Sequence, residues 1–279
     1  MSWVVSIVSW FGLTLVLTVV GIVLWLQLSH LRFIQYHRHK SVQLPPLTAV
    51  AFIALHAREV WAWVVLGGWT FIGVTRDGWR IPPSHTGPPV LCVHGFTQNG
   101  SNFWGLRKRL FRAGRASRAL YLGRPLQPLA GYAVALTRVM RTLDEPVDVV
   151  CHSMGGVILR IVLDESPELR AKVRRIVTLG SPHRGTAGPR GFGFASDIRE
   201  LSRKSPVLAE LPLFDSVADH VEVTTIAAVR DFIVYPISSA LLDGANQWVL
   251  PGLGHGGLLV YSASLNRVVD ALLSEPELP

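Results

Sequence analysis

Residues 3–28, WVVSIVSWFGLTLVLTVVGIVLWLQL, contain no charged side chain. No other stretch narrows the possible folds as sharply, because an uncharged run of that length reads as a membrane helix. At 1.5 Å per residue such a helix is about 39 Å long, more than the roughly 30 Å hydrocarbon core of a bilayer. The expectation is a transmembrane anchor. A cleaved leader fits less well: no basic segment precedes the run, the run is long for a leader, and no small-x-small site follows it. Trp3, Trp10 and Trp25 fall near its ends, as interfacial indoles do.

Composition agrees with an anchor. Hydrophobic residues make up 49% of the 279-residue chain, too many for an ordinary soluble domain. The length leaves room for one domain of roughly 200 residues beyond the anchor. The net charge of +8 comes mostly from dispersed arginines, with no interleaved aromatic and basic pattern. Nucleic acid is therefore not an expected partner, and the charge fits either a membrane surface or solvated faces. Cys92 and Cys151 each end an apolar run, in PVLCVHG and VDVVCHS, and read as small buried residues. Neither belongs to a metal-ligand spacing or a disulfide framework.

Arg32, Arg38 and Lys40, with His30, His37 and His39, follow the anchor and put its end in the cytoplasm by the positive-inside rule. After LPPL (44–47) the chain is apolar again over 49–74, interrupted by His56, Arg58 and Glu59. Mid-bilayer placement of Arg58 and Glu59 costs on the order of 5 kcal/mol, and the uninterrupted part from Val60 to Val74 is short for a span. An interfacial or re-entrant helix is favoured, with both charges left at the interface. The alternative is a two-helix hairpin that carries everything after it to the other side. The Pro- and Gly-rich segment 76–89, RDGWRIPPSHTGPP, reads as a linker.

Beyond it, β-branched runs at 89–93, 118–122, 147–151, 173–179, 221–229 and 246–250 alternate with helical periodicity at 101–113, 128–143, 155–165 and 257–273. That alternation predicts an α/β fold, a mostly parallel sheet with helices on both faces. The domains expected are 1–40, anchor and basic flank; 41–87, apolar helix and linker; and 88–279, the catalytic domain. Segment 184–220 is a candidate cap, with a plain surface helix as the alternative.

In such a sheet, chemistry gathers past the carboxyl ends of strands. Three of those ends carry reactive groups: Ser153 after 147–151, Asp231 after 221–229, and His255 after 246–250. A serine hydroxyl needs an imidazole to take its proton, and the imidazole needs a carboxylate on its other nitrogen. Asp215, Asp219 and Asp243 compete with Asp231 for the acid, and a helix-capping role competes for Ser153. The same geometry makes the backbone N–H groups of Phe96 and Met154 candidates for an oxyanion hole. His94 and His152 are expected to have structural roles, and His183 either lines the pocket or stabilises a turn.

VHGF, HSMGG, VTLGSPHRGT, RDFIVYP and GLGHGGLL stand in this order between about residues 88 and 273. Together they resemble the bacterial lipase/esterase branch of the α/β-hydrolase superfamily, with its Ser–Asp–His chain order. Cys151 is the departure, standing where the Gly-x-Ser-x-Gly pattern opens with glycine; a small residue serves there. The resemblance implies hydrolysis of carboxylic esters without a cofactor, with lipid or other apolar acyl esters as the expected substrates. The uncharged run, the basic flank and the interfacial placement of Arg58 and Glu59 make a membrane location the expectation, a bacterial inner membrane, with the catalytic domain on the cytoplasmic side favoured. Acyl transfer or thioester cleavage on the same residues, or a catalytically silent lipid- or partner-binding protein, are the alternatives.

Overall fold

The computed structural model describes residues 2–40, 44, 46–73, 78–188, 196–218 and 220–274. The side chains of residues 2–19 lie outside that description, and Trp3 and Trp10 with them. Two long helices come first, α1 (Ser2–His39) and α2 (Ala49–Gly73). They run antiparallel: Trp25 meets Trp63 at 5.2 Å between ring centroids, and His30 meets His56 at 4.8 Å.

A seven-stranded sheet follows: β1 (Gly78–Arg80), β2 (Val90–Val93), β3 (Ser117–Ala119), β4 (Val147–His152), β5 (Val173–Leu179), β6 (Glu222–Ala228) and β7 (Asn246–Leu250). Its order is β1-β3-β2-β4-β5-β6-β7, parallel throughout except for β1 against β3. The six predicted strands are present. The seventh, β1, lies in the segment read as linker. Three residues, Gly-Trp-Arg, carry no alternation to betray a strand; they pair because the edge of β3 presents unpaired backbone groups. Arg107 donates to the Gly78 carbonyl at 2.7 Å, and the Arg80 guanidinium lies 4.8 Å from the Phe111 ring. The sheet thus starts before residue 88.

Helices cover both faces. α4 (Leu129–Arg141) and α5 (Met154–Glu165) close one core over Val149 and Cys151; α3 (Trp104–Arg112), α9 (Gly257–Val260) and α10 (Ser262–Leu273) close the other over Val150 and Val177. β4 is buried along its whole length, so it reads as a continuous apolar run. The exceptions are His152 at its end and Asp148, fully buried and paired with Arg115 at 2.5 Å and Arg174 at 3.1 Å.

Sheet order decides where a site can form. The chain steps from β2 to β3 on one side and then to β4 on the other, so a crevice opens past the carboxyl ends of β2 and β4, at the topological switch point. The described residues of segment 184–220 form three short helices, α6 (Ser196–Glu200), α7 (Pro206–Glu210) and α8 (Phe214–Val217), of which α6 brings Ile198 to this crevice. Its residues 189–195 and 219 lie outside the described residues. Buried Arg160 of α5 ties this segment down, donating to the carbonyls of Leu211 at 2.6 Å, Pro212 at 2.9 Å and His183 at 2.6 Å.

The helix pair is not apart from this domain. α2 is long and apolar enough to cross a membrane. One of its faces nevertheless lies on the sheet domain along its length. Near its start His56 meets Phe232, with centroids 5.4 Å apart; near its end Asn102 donates to the Leu66 carbonyl at 2.8 Å and Ser101 to that of Trp69 at 2.5 Å. The residues after the uncharged run of α1 pack likewise, with Phe33 buried against Phe232 and Tyr235.

Candidate active site

Ser153 stands between β4 and α5 with φ 52° and ψ −124°. A positive φ on a side chain with a Cβ costs about 1–3 kcal/mol and persists only where the surroundings impose it. Here two facts impose it. The Ser153 N–H still pairs with the Leu179 carbonyl of β5 at 2.8 Å, and α5 must start at once, because it packs directly over β2: a Cβ on Gly155 would lie 2.4 Å from the Val93 carbonyl oxygen. The turn aims Ser153 outward. The helix-capping alternative is not what the structure has, since its side chain makes no cap hydrogen bond. Cys151, one residue inside the strand end, is fully buried and packs in the α4–α5 core. Burial pushes its thiol well above the ordinary cysteine value, so it stays protonated.

His255 comes from the turn after β7, and Asp231 from the turn after β6. The Nδ1 of His255 lies 2.6 Å from Asp231 Oδ2, both groups being buried. The other Asp231 oxygen accepts from the N–H groups of Ile233 at 2.8 Å and Val234 at 2.7 Å, which fixes the carboxylate. With Nδ1 bonded to a carboxylate, Nε2 is the nitrogen left to accept a proton. Of the competing acids, Asp215 and Asp243 are exposed, the latter pairing with Arg184 at 3.1 Å, and Asp219 lies outside the described residues.

Ser153 and His255 line one cavity of about 690 Å³. Phe96, Leu126, Ile198, Leu201 and Val234 of the domain supply apolar wall. The helix pair closes the other side, with Ile22 and Trp25 from α1 and Trp63, Leu66, Gly67, Thr70 and Phe71 from α2. Of the oxyanion candidates, Phe96 is at the cavity wall and Met154 opens α5, whose N-terminal dipole favours negative charge. His183 is not among the lining residues: it is buried, 3.2 Å from Thr178 Oγ1. His94 bridges β2 to the chain after β3, accepting from the Leu122 N–H at 3.1 Å. Burial lowers both imidazoles, His94 to about 4, and keeps them neutral.

Three groups near the site escaped sequence reasoning. Gln98 Oε1 accepts from Gly95 N–H at 3.0 Å and lies 2.9 Å from Nδ1 of His152, whose ring is 4.8 Å from that of His255. Trp63 stacks on His255 at 6.3 Å and 16°. Glu59 overturns an expectation outright. Instead of resting at a membrane interface it is 2% exposed, its carboxylate accepting three backbone N–H groups of the turn that carries His255. Burial and the neighbouring Asp231 push its carboxyl up to about 7, against the opposing pull of the amides and of His255. A lone acid in an apolar helix was the available signal; the donors that satisfy it lie about 195 residues away in sequence.

The model of the PGAP1-like alpha/beta domain matches residues 123–228, less than half of the chain, including Ser153 but neither Asp231 nor His255. No curated protein matches by sequence. Among solved structures, lipase B of Aspergillus fumigatus is similar at 19% identity and a TM-score of 0.61, over 71% of this chain and 56% of that one. The chain thus spans little more than half the length of that enzyme. The mature form of the Bacillus licheniformis lipase BlEst2 is similar at 16% identity and a TM-score of 0.53, over 69% of this chain and 96% of that one. A lipase-esterase related protein from Clostridium acetobutylicum ATCC 824 gives 16% identity and 0.52, over 70% and 99%. These likenesses establish the fold: the chain has the α/β-hydrolase fold.

Proposed function

We propose that this protein is a membrane-associated serine hydrolase that cleaves carboxylic esters of apolar acyl groups. The observation that carries the reading is one strained serine at the switch-point crevice, sharing its cavity with a histidine whose Nδ1 is held by a buried carboxylate at 2.6 Å. A binding protein has no need of that set.

Ser153 Oγ attacks the ester carbonyl carbon while Nε2 of His255 takes its proton, and Asp231 stabilises the imidazolium. The carbonyl oxygen, now anionic, accepts from the N–H groups of Met154 and Phe96, each donor contributing roughly 3 kcal/mol to the transition state. The C–O bond breaks, the alcohol leaves with the proton from His255, and the acyl group stays on Ser153. Water then attacks the acyl carbon, giving up its proton to His255; the bond to Ser153 Oγ breaks, His255 returns the proton to Oγ, and the carboxylic acid departs. The apolar cavity takes the acyl chain.

Membrane association is supported by the outer faces of the helix pair. Leu24, Leu28, Leu31 and Ile34 form an exposed stripe on α1, and Val50, Ile53, Trp61, Phe71 and Ile72 are exposed on α2. An apolar surface of this kind beside a cavity mouth calls for a lipid phase. Since α2 lies along the domain, we read it as interfacial and the uncharged run of α1 as the anchor.

A fluorophosphonate probe tests the chemistry. Stoichiometric labelling is expected, lost in Ser153→Ala. Ser153→Ala, His255→Ala and Asp231→Asn should each lose most of kcat while folded, with losses far from additive. A folded protein that never labels, or an Asp231→Asn variant with wild-type turnover, overturns the assignment.

A further inference from the structure

We propose that Glu59 of α2 is a positioning residue for the catalytic histidine: it clamps the turn 254–257, so that His255 is presented to Ser153 only while α2 is seated on the domain. The inference rests on the hydrolase reading above.

The contacts are specific. Glu59 Oε1 accepts from the N–H groups of Gly254 at 3.0 Å and Gly257 at 2.8 Å, and Oε2 from that of Gly256 at 3.1 Å. These amides flank His255 on both sides. The carboxylate lies so close that a Cβ on Gly254 would sit 2.5 Å from its carboxyl carbon and one on Gly257 2.8 Å from Oε1. The glycines of GLGHGG therefore do more than allow a turn; they leave room for an acid from another element. One helical turn along, Trp63 covers the His255 ring, and the Tyr261 hydroxyl donates to the Arg58 carbonyl at 2.9 Å.

Asp231 sets the tautomer of His255, but the backbone of the turn sets where its ring stands. That backbone leaves β7 at an exposed sheet edge and has buried N–H groups satisfied by Glu59. The titratable groups facing His255 are Asp231 from the β6 turn, His152 from β4 and Glu59 from α2, with Arg58 and Tyr261 on the outer side of the turn. Glu59 is not at the cavity wall, so its loss acts on the reaction rather than on acyl binding.

The test uses the full-length chain and a short-chain soluble ester. In Glu59→Ala, kcat and the rate of fluorophosphonate labelling should fall by up to about 100-fold with KM little changed, the scale of a catalytic group displaced by an ångström. Glu59→Gln keeps one acceptor but turns an NH2 toward the Gly256 N–H, and should fall between Ala and wild type. In a His255→Ala background, Glu59→Gln should have no further effect on residual labelling, an outcome that general loosening of the fold would not give. Wild-type kcat in Glu59→Gln overturns the proposal, as does an equal loss with and without His255. Should Glu59→Ala fail to fold, the Gln variant in both backgrounds decides. A wild-type protein that never labels removes the hydrolase reading and this inference with it; a labelling wild type with unaffected Glu59 variants removes this inference alone.

Discussion

Ser153 and Cys151 show how one turn divides its labour between neighbouring residues. Ser153 bears the positive φ and lines the cavity; Cys151 packs in the core, with its thiol held protonated by burial. The position asks for small volume, not for sulfur. Cys151→Gly should keep most activity. Cys151→Leu should lose about 1–3 kcal/mol of stability through overpacking, read as a lower denaturant midpoint. A well-folded Cys151→Ser with no activity would instead assign the thiol a chemical role.

At the scale of elements, α2 has two tasks along one face. Glu59 and Trp63 grip the histidine turn, and Leu66 to Phe71 roof the cavity. Gly67 lies on that roof, and a Cβ there would meet no atom within 4 Å. Gly67→Phe should therefore be accommodated and fill part of the cavity. Its kcat/KM should fall by tenfold or more on long acyl esters, and the loss should grow with chain length, since each misplaced methylene costs about 1–3 kcal/mol. Equal loss across a chain-length series would place the acyl chain elsewhere.

For the whole molecule, two expectations follow. His94, His152 and His183 are buried and neutral, with values pushed down by burial, while in the unfolded chain they return to about 6.5. Between those values the unfolded state binds more protons. The stability contributed by these three histidines is thus full above about 6.5 and falls as pH drops toward 4, outweighing the single opposing gain from Glu59, whose raised carboxyl takes up its proton in the folded state below about 7. Tm should decrease from pH 7.5 to pH 5, and a flat Tm would contradict the neutral assignments. The second expectation concerns sidedness. With α2 lying along the domain, reporters that work only in the cytoplasm should be active when fused after residue 42 and after residue 279. Activity at the first site alone would show that α2 crosses.

Much was legible from sequence because it depends on neighbours in the chain. Strand-helix alternation, the abrupt β4–α5 turn, and the order of Ser153, Asp231 and His255 all follow from local patterning and from the rule that parallel strands end on one side of the sheet. Asp231 could be singled out among four aspartates as the partner of His255, the contact the structure has, because it alone follows a long strand directly. What the sequence could not supply was the partner of each unpaired group. β1 exists because β3 has a free edge, not because Gly78–Arg80 favours a strand. Glu59 looked like a charge in search of water, since burying a carboxylate is costly unless donors surround it. Three such donors come from glycines about 195 residues downstream, and only the tertiary fold brings them to it.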